Sequence, residues 1–262
     1  MRRDADRRPR RIFITGASSG IGAALVRHYA QGDVLLGLVG RRRDTLEALA
    51  AECDGKAQVF VADVADAAAM QTAAAQFVAS VGVPDIVIAS AGVSVGTLTE
   101  YAEDADAFAR VMQTNVLGML HTFQPFVAPM RASGAGTLVG IASVAGVRGL
   151  PGAGAYSASK AAVRRYLESL RVELHGSGVR VVTISPGYID TPMTAVNTYP
   201  MPFLLPANVA AKRMANAIDA GRRHVVIPWQ MGLVAWVLGW LPDPVYDRIF
   251  ARAGRKPRGL PL

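Results

Sequence analysis

Cysteine is nearly absent: Cys53 stands alone in 262 residues, so no disulfide framework can form within the chain, and a reducing, cytoplasmic setting is expected. No histidine accompanies Cys53 in a context that suggests a nucleophile, and an ordinary position at a helix end is expected. Histidine is scarce too. His28, His121, His175 and His224 are scattered, no two of them at ligand spacing, and no metal is expected. Charged residues make up only 18% against 51% hydrophobic, which excludes a disordered chain and leaves ample apolar material for a core. A charged N-terminus running directly into an apolar run, without a small-residue cleavage site, argues against a secretory signal.

The net charge of +8 has a position as well as a size. Residues 1–11 hold six arginines against two aspartates, and residues 242–262 five cations against two aspartates, so the body between is nearly neutral. Basic ends on a neutral body, with no interleaving of aromatic and basic residues, exclude a nucleic-acid reader. Residues 1–10 are expected to be a solubilising basic tail, and contact with an anionic membrane surface is the alternative.

Between Arg11 and Pro228 short apolar runs alternate with helical periodicity. Strands are expected at 11–15, 34–40, 57–62, 85–90, 136–142, 179–185 and 224–227. Helices are expected between them, including a long one from about Glu103 to Arg131 disturbed near its end by Pro125 and Pro129. Strands that are apolar throughout and separated by helices imply a parallel sheet covered on both faces. The expectation is α/β: one doubly wound (Rossmann) domain with a mainly parallel seven-stranded sheet over residues 11–228. Residues 229–262 then form a helical extension. Pro228 leaves a helix of roughly 13 residues, too short to span a bilayer, and Trp229, Trp236 and Trp240 are all the tryptophans. They suit a membrane interface, a lipid-like substrate mouth, a subunit contact or the protein's own core.

The segment Thr15–Gly22 places three glycines between a strand and a helix. Gly16 permits a tight turn, Gly20 lets backbone approach a pyrophosphate, and Gly22 lets helix and strand pack closely. The helix start, with Ser18, Ser19 and Ile21, offers N–H groups to phosphates. At the end of the second strand stands Arg41, then Arg42, where an acidic residue would favour a ribose 2′-hydroxyl. Guanidiniums there favour a 2′-phosphate, hence NADP(H), with NAD(H) the second choice. Asp63 is either an acceptor for an adenine amino group or a helix N-cap. Tyr156 and Lys160 are four apart, so on a helix they share one face, and an ammonium beside a phenol stabilises phenolate. Ser143 supplies a hydroxyl upstream.

With these residues in order the chain resembles the short-chain dehydrogenase/reductases, on the Thr15–Gly22 loop, Asp63-Val64, Ala91-Gly92, Asn115, Ser143, Tyr156, Lys160 and Pro186-Gly187. The resemblance implies that Tyr156 moves a proton to or from a substrate oxygen that Ser143 orients. It further implies that Lys160 lowers the Tyr156 pKa and binds the nicotinamide ribose, and that Asn115 holds a relay water. Pro186, Gly187 and Ile189 to Thr191 would flank the nicotinamide. Ser90 departs from the family's usual asparagine before Ala91. The resemblance also implies a homodimer or homotetramer packed through the helices around Glu103–Met130 and Ala155–His175.

The lid segment from Tyr188 to Pro206 carries Met193, Tyr199, Met201, Phe203, Leu204 and Leu205, with no cation between Gly187 and Lys212. That composition fits a lipophilic carbonyl or alcohol, or simply packs the lobe itself. The expected function is interconversion of carbonyl and alcohol; the alternatives are a non-catalytic NADP-binding regulator and an interaction protein acting through its basic ends.

Overall fold

The computed structural model describes residues 8–260. The first half runs β1 (Arg10–Thr15), α1 (Gly20–Tyr29), β2 (Val34–Gly40), α2 (Arg43–Ala51), β3 (Ala57–Val61), α3 (Ala67–Val81), β4 (Ile86–Ala89), α4 (Asp104–Met112) and α5 (Gly118–Ser133). The second runs β5 (Gly136–Ile141), α6 (Gly154–Glu173), β6 (Val179–Pro186), β7 (Ile189–Asp190), α7 (Pro192–Ala195), β8 (Leu205–Pro206), α8 (Ala207–Asp219), β9 (His224–Ile227), α9 (Trp229–Trp240) and α10 (Asp243–Phe250).

Seven strands form one parallel sheet in the order β3-β2-β1-β4-β5-β6-β9. The strands face core on both sides, as their apolar runs require. In β1, Ile12 and Ile14 join Leu25, Leu36, Leu38 and Met214 on one face. Phe13 points the other way, edge-on to Phe77 at 5.3 Å and to Phe126 at 4.9 Å. The strand order reverses between β1 and β4, so a crevice opens beyond their carboxyl ends.

Three features differ from expectation. The expected tail over residues 1–10 lies mostly outside the described residues, but Arg10 already belongs to β1. Acidic partners hold this stretch: Arg8 pairs with Asp85 at 2.7 Å and Arg10 with Asp219 at 2.7 Å. The long helix is interrupted not at Pro125 or Pro129, which sit inside α5, but at a π-helical turn, Gln113–Leu117. Phe123, Phe126 and Met130 are fully buried, and that packing outweighs the backbone bonds the prolines remove. The extension holds a second helix, α10, that the periodicity does not announce, and residues 251–260 have no regular structure.

Candidate active site

Beyond the carboxyl ends of β1 and β4 lies a cavity of about 410 Å³. Its first wall is the loop after β1. Gly16 has φ +67°, and a Cβ there would come within 2.6 Å of the Ala91 backbone nitrogen, so the loop lies directly on the end of β4. A Cβ on Gly22 would collide with the Gly16 carbonyl oxygen, which is why α1 can start so close to the turn. Ser19 at the N-cap is extended and gives no side-chain cap, leaving first-turn N–H groups of α1 free at the cavity wall.

The wall continues through Gly40, Arg41 and Arg42. Arg42 donates to the Ser18 carbonyl and hydroxyl oxygens, both at 3.2 Å, and Arg41 lies 3.8 Å from the Asp63 carboxylate. Asp63 does not cap the next helix. That position belongs to Asp66, which accepts from the amides of Ala68 and Ala69 at 2.9 and 3.0 Å; Asp63 accepts from Ala65 at 2.9 Å and lines the cavity.

The opposite wall comes from the ends of β5 and β6 and the start of α6. Ser143 follows β5 in extended backbone; its hydroxyl accepts from the Ala145 amide at 3.1 Å and contacts the Pro186 carbonyl at 3.4 Å. Tyr156 and Lys160 share one face of α6, as their spacing requires. Burial raises the Tyr156 phenol above its ordinary value, and a hydrogen bond with Ser143 opposes that rise. Lys160 is 5% exposed, and burial brings its ammonium down to about 8. Its Nζ stands over the Tyr156 ring, 5.7 Å from the centroid, and donates to the Ile141 carbonyl at 2.9 Å.

Asn115 sits in the π-helical turn, 1% exposed. Its amide donates to the Val93 carbonyl at 3.0 Å and to the Ser159 hydroxyl at 2.9 Å, and its Oδ1 accepts from the Val93 amide at 2.8 Å. A Cβ on Gly92 would lie 3.2 Å from Asn115 Oδ1 and 3.6 Å from Lys160 Nζ. Asn115 is therefore a brace behind the wall rather than part of its surface. Thr15 is also off the surface: it is fully buried, its hydroxyl pointing to the Ile88 carbonyl at 3.4 Å. The remaining expected residues, from Gly16, Ser18, Ser19, Gly20, Ile21 and Gly22 through Val64, Ala91 and Gly92 to Pro186, Gly187, Ile189 and Thr191, all line the cavity.

Over this wall hangs the lid of β7, α7 and β8. Met193 and Thr194 reach the cavity, whereas Phe203 is 50% exposed and Leu204 turns outward with it, so the lid's apolar residues do not all point at a substrate. The lid also gains a cation that its own segment lacks. The chain after α10 returns across the lid, and Lys256 donates to the Met193 carbonyl at 2.9 Å. Pro257 accepts from the Gly96 amide at 2.9 Å, and Arg258 holds Asp104 at 2.7 Å. Thr114, Val93, Ala142, Met193 and Thr194 also line the cavity. Thr114, Val93 and Ala142 each adjoin a residue already singled out by the sequence, but their own side-chain types carry no signal.

A doubly wound sheet, a glycine cradle at its switch point and a Ser–Tyr–Lys wall define a dinucleotide-dependent oxidoreductase. The profile of the family described as short chain dehydrogenase matches residues 10–200. An uncharacterized oxidoreductase of Myxococcus xanthus is 37% identical over 241 residues, covering 91% of this chain and 95% of that protein. A 2-dehydro-3-deoxy-L-rhamnonate dehydrogenase (NAD(+)) of Sphingomonas is 36% identical over 181 residues, 69% of this chain and 72% of that one. A Burkholderia phymatum short chain dehydrogenase/reductase crystallised with NAD superimposes with a TM-score of 0.81 at 23% identity, over 96% of this chain and 98% of that one. This chain belongs to the short-chain dehydrogenase family, and it is an oxidoreductase of that family.

Proposed function

We propose that the chain interconverts a carbonyl and an alcohol on a small lipophilic substrate, with Tyr156 as general acid–base and NADP(H) as the preferred dinucleotide. The observation that carries this reading is the meeting of Ser143, Tyr156 and Lys160 on one wall of the cavity whose far end is the Gly16–Gly22 cradle. A bound nicotinamide supplies the hydride in reduction and accepts it in oxidation.

Tyr156 gives its phenolic proton to the substrate oxygen in reduction and takes one back in oxidation. Ser143 orients that oxygen by hydrogen bonding. Lys160, which spends one of its three donors on the Ile141 carbonyl, would bind the ribose hydroxyls with the others, and its positive charge favours phenolate on Tyr156. Asn115 fixes the backbone at Val93 and a relay water behind Lys160. Arg41 and Arg42 hold the 2′-phosphate, and the missing carboxylate at the end of β2 supports NADP(H) over NAD(H). Buried Cys53 supports a cytoplasmic setting. Phe108, Leu117, Leu120 and Val172, exposed on and beside α4, α5 and α6, support a homodimer or homotetramer packed there. Among the described residues no helix is long and apolar enough to cross a membrane. The outer stripe of α9, with Trp229 at 70% and Leu233 at 58% exposure, supports a peripheral bilayer contact instead.

Tyr156→Phe tests the central claim. NADPH binding, read by fluorescence titration, should be unchanged while turnover falls by about 10²–10⁴-fold. Turnover near that of the unaltered protein would refute the role of Tyr156. A panel of lipophilic ketones and aldehydes, followed by NADPH consumption, addresses the substrate class.

A further inference from the structure

A second cavity, of about 340 Å³, lies at the β9 edge of the sheet, beneath α9 and outside the catalytic cleft. That volume falls within the range of about 300–1,000 Å³ typical of small-molecule sites. One end is apolar. Val144, Val147 and Val226 line it opposite α9, which contributes Gly232, Ala235, Trp236, Gly239 and Trp240, and the small residues among these leave a trough open. Trp236 is 63% exposed, a ring standing at the rim rather than packed in a core.

The other end is cationic. Arg164, Ser185 and His224 close the trough, and a smaller recess of about 240 Å³ continues from Arg164 and His224 to Arg165, Arg171 and Arg223. Arg165 is matched by Glu168 at 2.6 Å. Among the described residues, Arg164, Arg171 and Arg223 have no carboxylate within ion-pair distance. Arg164 is half-buried and makes only a long contact of 3.4 Å with the Gly146 carbonyl. Glu168, one turn further along α6, lies in the same recess and attracts Arg164, so four guanidiniums there face a single carboxylate, an excess of positive charge that a bound anion would offset.

We propose that this trough is a binding site for a single-chain anionic amphiphile, its alkyl chain along α9 and its headgroup among Arg164, Arg171 and Arg223. The chemistry is that of a fatty-acid carboxylate, whether free in solution or drawn from a bilayer. The site does not depend on the catalytic reading: it shares no lining residue with the catalytic cavity. It does adjoin it. Val144 follows Ser143, and Arg164 lies one helical turn beyond Lys160 on α6.

Trp236 and Trp240 are two of the three tryptophans, so intrinsic emission reports on the trough. Full-length protein is titrated with dodecanoate below its micellar concentration, with dodecanol as the neutral probe and vesicles containing phosphatidylglycerol as the bilayer probe. Saturable one-to-one dodecanoate binding is expected, weakened about tenfold or more in Arg164→Ala and in Arg223→Ala. Dodecanol should bind correspondingly more weakly. NADPH affinity, measured in the same variants, should hold and shows that they are folded. Three outcomes overturn the proposal: equal binding of dodecanol and dodecanoate, unchanged affinity in both arginine variants, or a response to vesicles with none to monomeric dodecanoate. Emission that changes with protein concentration and ignores dodecanoate also overturns it, and assigns the trough to a second copy of the chain.

Discussion

On the nucleotide side of the cleft the wall is made by neighbours in sequence: the turn from β1 into α1 folds on itself, and Gly22 rests against Gly16 six residues earlier. On the substrate side the lid is held by chain that arrives from far away. Lys256 reaches Met193 across 63 positions, and Arg258 reaches Asp104 across 154. The first construction leaves a pattern of residue types at fixed spacing, and the second leaves none. The difference teaches where a fold stores its general task and where it stores its particular one. A cradle for a common cofactor can be local, whereas a lid shaped for one substrate is assembled by tertiary contacts.

Breaking the nucleotide side should have the largest effect. Gly22→Ala drives a methyl group into the Gly16 carbonyl and should weaken NADPH binding by about a hundredfold, read by titration with far-UV circular dichroism to check folding. A smaller change sharpens the chemistry of the same side. Replacing Arg41 and Arg42 by Asp should weaken NADPH by about tenfold or more and leave NADH near its starting affinity. Tighter NADH than NADPH binding by the unaltered protein would refute the 2′-phosphate assignment. On the lid side, Lys256→Met should raise the KM for the carbonyl substrate several-fold while the NADPH affinity stays fixed, because only the tether to Met193 is lost. Parallel loss of both affinities would show that the two sides are not separable.

The smallest effect is a pH slope. Burial holds the Lys256 ammonium down to about 8, as it does that of Lys160. Between about pH 8 and 10 the unfolded chain therefore binds these protons more tightly than the folded chain, and stability rises with pH. Above about pH 10 the sense reverses, since the phenols of Tyr166 and Tyr199 are pushed up to about 12 by burial and keep protons that the unfolded chain releases. Thermal melts of the cofactor-free protein should rise from pH 8 to 9.5, and Lys256→Met should flatten that rise.

The same contrast governs how much the sequence told. Apolar runs broken by helical periodicity made the parallel sheet legible, and the Thr15–Gly22 loop with Tyr156 and Lys160 made the family legible. The site was read less completely. Thr15 and Asn115 belong to the right neighbourhood but brace it from behind, a distinction that depends on burial and not on spacing. The ammonium–phenol pair does share one helix face, but spacing could not show that the Lys160 ammonium also donates to the Ile141 carbonyl. Pro125 and Pro129 pointed to a break that core packing overrides, while the true interruption at Gln113–Leu117 contains neither proline nor glycine. The cation on the lid was illegible, since Lys256 lies in another part of the chain.

That interruption has a consequence of its own. A π-helical turn carries one residue more than the helix around it needs. Deleting one residue there would let α4 run straight into α5 and swing position 115 by about 100° away from Val93 and Ser159. Such a deletion runs opposite to the usual lesion, adding helical regularity and removing the pin on the segment after β4. The turn is a standing trade, in which a smoother and more stable helix is forgone so that one amide stays pinned between Val93 and Ser159 behind the cleft.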